Sequence, residues 1–190
     1  MVTLQEKVVK FNNNHLIVSH DGCRLSNDSG LVLIDELMDA FKFTQLSEDI
    51  VTFNDSRKYW MHTNHKILKQ IILQIVAGYN TDSAANILQH NPVLQMLSSD
   101  EPLASQSSIS RLFDRVEGET IKTLQVFNQE LIDKARLVRN DTHMIIDLDS
   151  THSDTFGHQE QTAYNAHYGT KGYHPLLAFD GFVRGTILFI

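Results

Sequence analysis

Cysteine is all but missing from this 190-residue chain. Cys23 stands alone, which excludes an internal disulfide and leaves no thiolate cluster for a structural zinc. Long hydrophobic runs are missing too. No stretch of about 18 apolar residues occurs, and Met1 is not followed by a basic patch and an apolar core. Neither a membrane span nor a secretory signal is therefore expected, and the chain reads as a cytoplasmic protein. Positive charge is also scarce, with 16 Lys and Arg against 23 Asp and Glu for a net charge of −7. That is the wrong sign for a protein held to nucleic acid by bulk electrostatics alone. What the chain does have is apolar content, 42% hydrophobic residues with 21% charged, enough for one good core or two small ones.

The acidity is unevenly placed. Residues 141–190 hold 2 Lys and Arg against 6 Asp and Glu, and within them lies MIIDLDST, Met144 to Thr151. Three apolar residues followed by alternating Asp147, Leu148 and Asp149 read as a short strand, and a period of two places Ile145, Asp147 and Asp149 on one face. Neighbouring carboxylates repel unless a cation, a basic group or a shared proton compensates. One explanation is a divalent cation, and hard oxygen ligands on a strand suit magnesium or manganese. The other is a strand running out into solvent, with Asp149, Ser150 and Thr151 forming a turn. Five of the ten histidines, His143, His152, His158, His167 and His174, fall in the same 50 residues, a density that a metal or phosphate site would show.

Upstream, KVVKF (7–11) and HLIVS (15–19) around Asn12, Asn13 and Asn14 give a hairpin signal. Asn27, Asp28 and Ser29 then form a polar cap for a helix GLVLIDELMDAF, in which Leu33, Leu37 and Phe41 recur as a core stripe. From Asp55 to Tyr79 the pattern predicts one helix with an apolar face of Ile67, Leu68, Ile71, Ile72, Ile75 and Val76, stopped at Gly78. Its Arg57, Lys58, Lys66 and Lys69 make either a solvated face or a DNA-facing one. DSAANILQH, capped by Asp82 or Thr81, and a turn opened by Pro92 follow. Residues 98–108 break the periodicity. The next helix buries Ile109, Leu112, Phe113 and Val116 and leaves Gln106, Ser107, Ser110, Arg111 and Arg115 wet. That is the layout of a DNA-reading helix, although any serine-capped amphipathic helix shares it. A helix from Thr120 to Arg136 delivers the chain to the acidic strand, and YHPLLAFD and FVRGTILFI are expected to pair as a hairpin beside that strand.

The run DLDSTHSDTFGHQEQTAYNAHYGTKGYHPLLAFDG resembles the start of the catalytic domain in DDE-type insertion-sequence transposases, whose fold is ribonuclease-H-like. AGYNTDSAANILQHNPVLQML and LASQSSISRLFDRVE are similar to the helical region preceding that domain. The resemblance implies a two-metal phosphoryl-transfer site of two aspartates and a glutamate, using magnesium or manganese, that cuts and joins the terminal inverted repeats of an insertion element. Asp149, before a small hydroxyl residue, matches the first aspartate of the triad, with Asp147 as a supporting or alternative metal ligand. Asp180 falls on the second strand and does not match the second aspartate. The later Asp and Glu are expected beyond this sequence.

The fold class that follows is α+β. Residues 1–54 form a hairpin and helix, 55–140 a helical region with DNA-binding residues Gln106, Ser107, Ser110, Arg111 and Arg115, and 141–190 the start of a truncated ribonuclease-H-like domain. The chain is then expected to be inactive alone, to retain at most DNA binding, and to self-associate through uncovered strands. Two other readings remain open: an active enzyme completed by ligands from another chain, and a helical interaction module with neither DNA nor catalytic function.

Overall fold

The computed structural model describes residues 7–11, 14–18, 26–98, 102–140, 142–143, 145–181 and 186–189. Cys23 and the Asn12–Asn13 pair lie outside them. The architecture is α+β, and the chain divides into two compact units, Met1–Ile121 and Lys122–Ile190.

In the first unit β1 (Lys7–Phe11) pairs antiparallel with β2 (Asn14–Val18), Phe11 opposite Asn14. Six helices follow: α1 (Leu31–Ala40), α2 (Phe43–Ile50), α3 (Asn64–Val76), α4 (Ala84–Leu88), α5 (Pro92–Leu97) and α6 (Gln106–Phe113). A long helix, α7 (Gly118–Arg139), starts in the first unit and continues into the second. There β3 (Ile146–Ser150), β7 (Leu176–Asp180) and β8 (Thr186–Phe189) form an antiparallel sheet in the order β3-β7-β8. The pair expected beside the acidic strand is thus present. Between β3 and β7, where the sequence showed no sustained period, β4 (Ser153–Asp154), β5 (Ala163–Asn165) and β6 (Thr170–Tyr173) make a second small sheet in the order β4-β6-β5. No helix among the described residues is long and apolar enough to cross a membrane.

Four expectations are corrected. The helix read from Asp55 begins only at Asn64, and residues 51–63 have no regular structure. Asp55 accepts hydrogen bonds from the backbone N–H of Arg57 at 3.1 Å and from its guanidinium, and such local side-chain bonding competes with helix formation. Thr63 then supplies the cap, its hydroxyl accepting the Lys66 N–H at 3.2 Å, and the helix does end before Gly78, at φ +90°. In α1 the stripe Leu33, Leu37 and Phe41 is not the core face. Leu33 and Leu37 are exposed, and Leu31, Val32 and Met38 are buried instead. The helix is apolar on several sides, so packing against α2, α3 and α5 selects the face. Nor does a polar side chain cap it. Gly30 occupies the cap position, and the Asp28 carboxylate accepts from Asn91 and from the Tyr79 hydroxyl. Likewise neither Thr81 nor Asp82 caps α4; the cap residue is Ser83, whose hydroxyl bonds the Thr81 hydroxyl at 3.0 Å rather than a backbone N–H. At α5 the sequence signal holds, with Asn91 capping Val93 and Leu94 and Pro92 in the first turn.

The core of the first unit gathers Ile67, Ala85, Ala104, Ile109 and Leu112, with Phe53 and Ile71 packed against it. A polar clamp runs through it. Gln70 on α3 donates from Nε2 to the Ala104 carbonyl at 2.9 Å and accepts the Ala104 N–H on Oε1 at 2.8 Å, and both residues are buried. One amide thus satisfies both backbone groups of a residue just ahead of α6, where neither helix nor strand provides partners. Gln70→Leu, of similar volume, strands the two backbone groups and is expected to cost about 2–4 kcal/mol. Urea denaturation checks this, and an unchanged midpoint would show the clamp to be dispensable.

Candidate functional site

The acidic strand β3 is solvent-exposed along its whole length. Its register with β7 sets Asp147 opposite Phe179 and Asp149 opposite Leu177. Residues paired across an antiparallel ladder share a face, so Asp147 and Asp149 lie on one side with two half-buried apolar side chains. Asp180 pairs with Ile146 and belongs to the other face. It is 1% exposed and has Arg136 Nε of α7 at 3.6 Å from its carboxylate, so it is a buried, ion-paired carboxylate separated from the other two by the sheet. The donor chemistry of Asp147 and Asp149 suits a hard cation, but the donor count falls short. No group of three His, Cys, Asp or Glu able to hold a metal exists among the described residues, and two carboxylates do not make a closed site.

The histidines assemble differently from a ligand cluster. His152 Nδ1 lies 3.3 Å from His174 Nδ1, while His152 Nε2 meets Asp154 Oδ1 at 2.9 Å and Thr170 Oγ1 at 2.6 Å. Asn165 Nδ2 reaches His174 Nδ1 at 2.9 Å. Tyr168 stacks on His152 with ring centroids 4.8 Å apart. The ring nitrogens contact one another and their neighbours directly, and among the described residues they belong to no group of three His, Cys, Asp or Glu able to hold a metal. This knot braces the β4-β6-β5 sheet and depends on Gly172, where an added Cβ would meet the Ser153 carbonyl and would come 2.6 Å from His152 Cε1. Gly172→Ala is expected to destabilise the second unit by about 1–3 kcal/mol and to raise amide exchange at 153–154 and 170–173. Unaltered exchange there would show that the sheet adjusts freely.

On α6, the five residues expected to meet DNA do not behave alike. Ser107, Ser110 and Arg111 are exposed. Gln106 is drawn back towards α4. Its N–H donates to Asn86 Oδ1 at 3.1 Å, and its side chain contacts Asn86 and Asp82 at 3.4 and 3.5 Å. Ser105 is the cap residue, but its hydroxyl bonds the Ser107 and Ser108 hydroxyls rather than a backbone N–H. Arg115 turns towards α3 and donates from Nε to Asn64 Oδ1 at 3.0 Å. The same oxygen accepts from Arg57 at 2.9 Å, and Asn64 also donates to Asp55 at 3.0 Å. Arg57, Tyr59, Trp60, Met61, Arg111 and Arg115 thereby surround one cleft. The helical reading of 55–63 hid this grouping. The exposed Tyr59-Trp60-Met61 run was the available signal.

Charge at the cleft is tightly coupled. The Arg57 guanidinium, chiefly through its hydrogen bonds, holds the Asp55 carboxyl well below the usual carboxylate range. Burial, and next the nearby charge of Arg57, lowers the pKa of Arg115. On α3, His65 packs edge-on against Phe53, and burial lowers its pKa, partly opposed by Glu48. The depressed values of Asp55 and His65 mean that the folded state binds protons less readily than the unfolded chain at these two groups. Stability is thus fully present above the unfolded values and declines below about pH 6.5 for His65 and below about pH 4 for Asp55. His65→Gln should flatten the first decline and Asp55→Asn the second in urea midpoints followed against pH. Identical profiles for all three proteins would refute the assignment.

No curated protein and no solved structure matches the chain. The family model described as transposase DDE domain group 1 matches residues 8–188, which takes in both the helices bearing the cleft and the acidic strand. The chain therefore belongs to the DDE transposase family.

Proposed function

We propose that this chain acts in DNA transposition, binding insertion-element ends through α6 and contributing the first carboxylate strand of a divalent-metal site. The observation that carries the reading is Asp147 and Asp149 side by side on one exposed face of β3, in a chain of the DDE transposase family. Asp149 is assigned as the first aspartate and Asp147 as its support. The antiparallel order β3-β7-β8 supports reading residues 141–190 as the opening of a ribonuclease-H-like domain. When bound, magnesium or manganese would activate a water or DNA 3′ hydroxyl and stabilise the leaving oxygen.

Among the described residues no third His, Cys, Asp or Glu joins Asp147 and Asp149 in a group able to hold a metal, so on this reading the two carboxylates orient a hydrated ion. For DNA contact, Ser107, Ser110 and Arg111 offer exposed donors, with Arg115 in the adjoining cleft. Gln106, held by Asn86 and Asp82, fixes the helix start and has to release those bonds to read a base.

Two measurements test the proposal. Calorimetric titration with magnesium should show weak binding that Asp149→Asn abolishes, and the chain alone should not nick supercoiled DNA. Tight binding of two ions per chain, or magnesium-dependent nicking, would contradict the assignment. Duplex DNA should bind with an affinity that falls as salt rises, because phosphate contacts release counterions. Salt-independent binding or none would favour a helical interaction module without DNA function.

A further inference from the structure

The cleft beside α6 has an aromatic wall. Tyr59, Trp60 and Met61 are 91%, 55% and 77% exposed. They line, with Arg57, Arg111 and Arg115, a volume of about 250 Å³. Three large apolar side chains in a row on the surface mark a contact site rather than a scattered exposure. The guanidinium groups are crowded to match. Arg57 and Arg115 converge on the single Asn64 oxygen, 2.9 and 3.0 Å away. Asp55 neutralises the Arg57 side with contacts of 2.8 and 2.6 Å, and Asp114 lies near Arg115. Arg111 makes no side-chain hydrogen bond or ion pair among the described residues. Three cations against two carboxylates make this a cation-rich spot on a chain of net charge −7.

A ligand that meets both features carries a flat aromatic face and an adjoining anion. Phosphates of a closed duplex would meet the arginines but keep their bases stacked inside the helix, away from Trp60. An acidic peptide would meet the arginines and offer nothing flat. A single strand offers both, because every base has a π-face and each is joined to a phosphate.

We propose that the cleft takes an unpaired nucleotide of a DNA strand, its base stacked on Trp60 and its neighbouring phosphates against Arg111 and Arg115. This rests on the DNA-binding reading of α6 and extends it by naming the form of DNA that the cleft selects.

Trp60 is the chain's single tryptophan, so its emission reports the cleft directly. The intact chain is titrated with a fluorescently end-labelled single-stranded oligothymidylate and, separately, with a labelled blunt duplex. Label anisotropy and tryptophan emission are both followed. The single strand should quench Trp60 saturably, with the same midpoint as the anisotropy. Trp60→Ala, at an exposed position, should weaken single-strand binding by about tenfold or more and duplex binding far less. Arg111→Ala should weaken binding and flatten the slope of log affinity against log salt by about 0.7. Anisotropy that rises while Trp60 emission stays unchanged, or equal affinity of Trp60→Ala for the single strand, overturns the cleft proposal and leaves DNA binding by α6 standing. No binding to either DNA overturns both.

Discussion

The helical unit depends on a buried amide. Gln70 imitates a strand neighbour for Ala104, donating to its carbonyl and accepting its N–H. Without that pairing the segment ahead of α6 would carry unsatisfied backbone groups into an apolar core. With it, the start of α6 is tied to the middle of α3. Ile109 and Leu112 then fall onto Ile67, and Arg115 comes within reach of Asn64 at the start of α3. The cleft residues come from an irregular segment and from α6, and α3 is the element both lean on. The Gln70 clamp thus seats the helix that carries Arg111 and leads to Arg115, while Asp55 and Asn64 hold Arg57.

The net charge of −7 and a DNA-binding role are compatible only if charge is segregated. The cleft concentrates Arg57, Arg111 and Arg115, while β3 displays Asp147 and Asp149. Screening limits the reach of surface charges to about 8–10 Å at ordinary ionic strength, so local composition outweighs the total for contacts made at close range. The carboxylates of β3 repel a phosphate backbone in the absence of a cation, and a divalent ion reverses that sign. On the proposed reading metal and DNA engage β3 together, whereas DNA contact at α6 involves no metal.

Some of this was legible in the sequence and some was not, for reasons that can be named. Alternation in MIIDLDST placed the two aspartates on one face, because a strand's period of two is set by backbone geometry alone. Pro92 marked the start of α5, since first-turn preferences are local. The start of α3 was misread because Asp55, Arg57 and Asn64 satisfy one another across up to nine residues, a tertiary arrangement that local periodicity does not carry. The α1 face was misread because Leu31, Leu33, Leu37 and Met38 give the helix more than one apolar side. The knot of His152, His174, Asn165 and Thr170 links residues as far as 22 positions apart, so only the density of histidines was visible and not their mutual contacts. Gly172 offered no signal until its neighbour His152 was in place.

The central claim is that DNA lies along α6 and the irregular segment before α3. Amide hydrogen exchange of the whole chain with and without single-stranded DNA, in the absence of divalent metal, tests it most directly, since residues 57–62 lack regular structure and no helix or strand masks the effect of cover by DNA. Slower exchange confined to 57–62 and 107–115, with 146–150 unchanged, is the expected result. Slowing centred on 146–150, or none at 57–62 under conditions where DNA is bound, would contradict it.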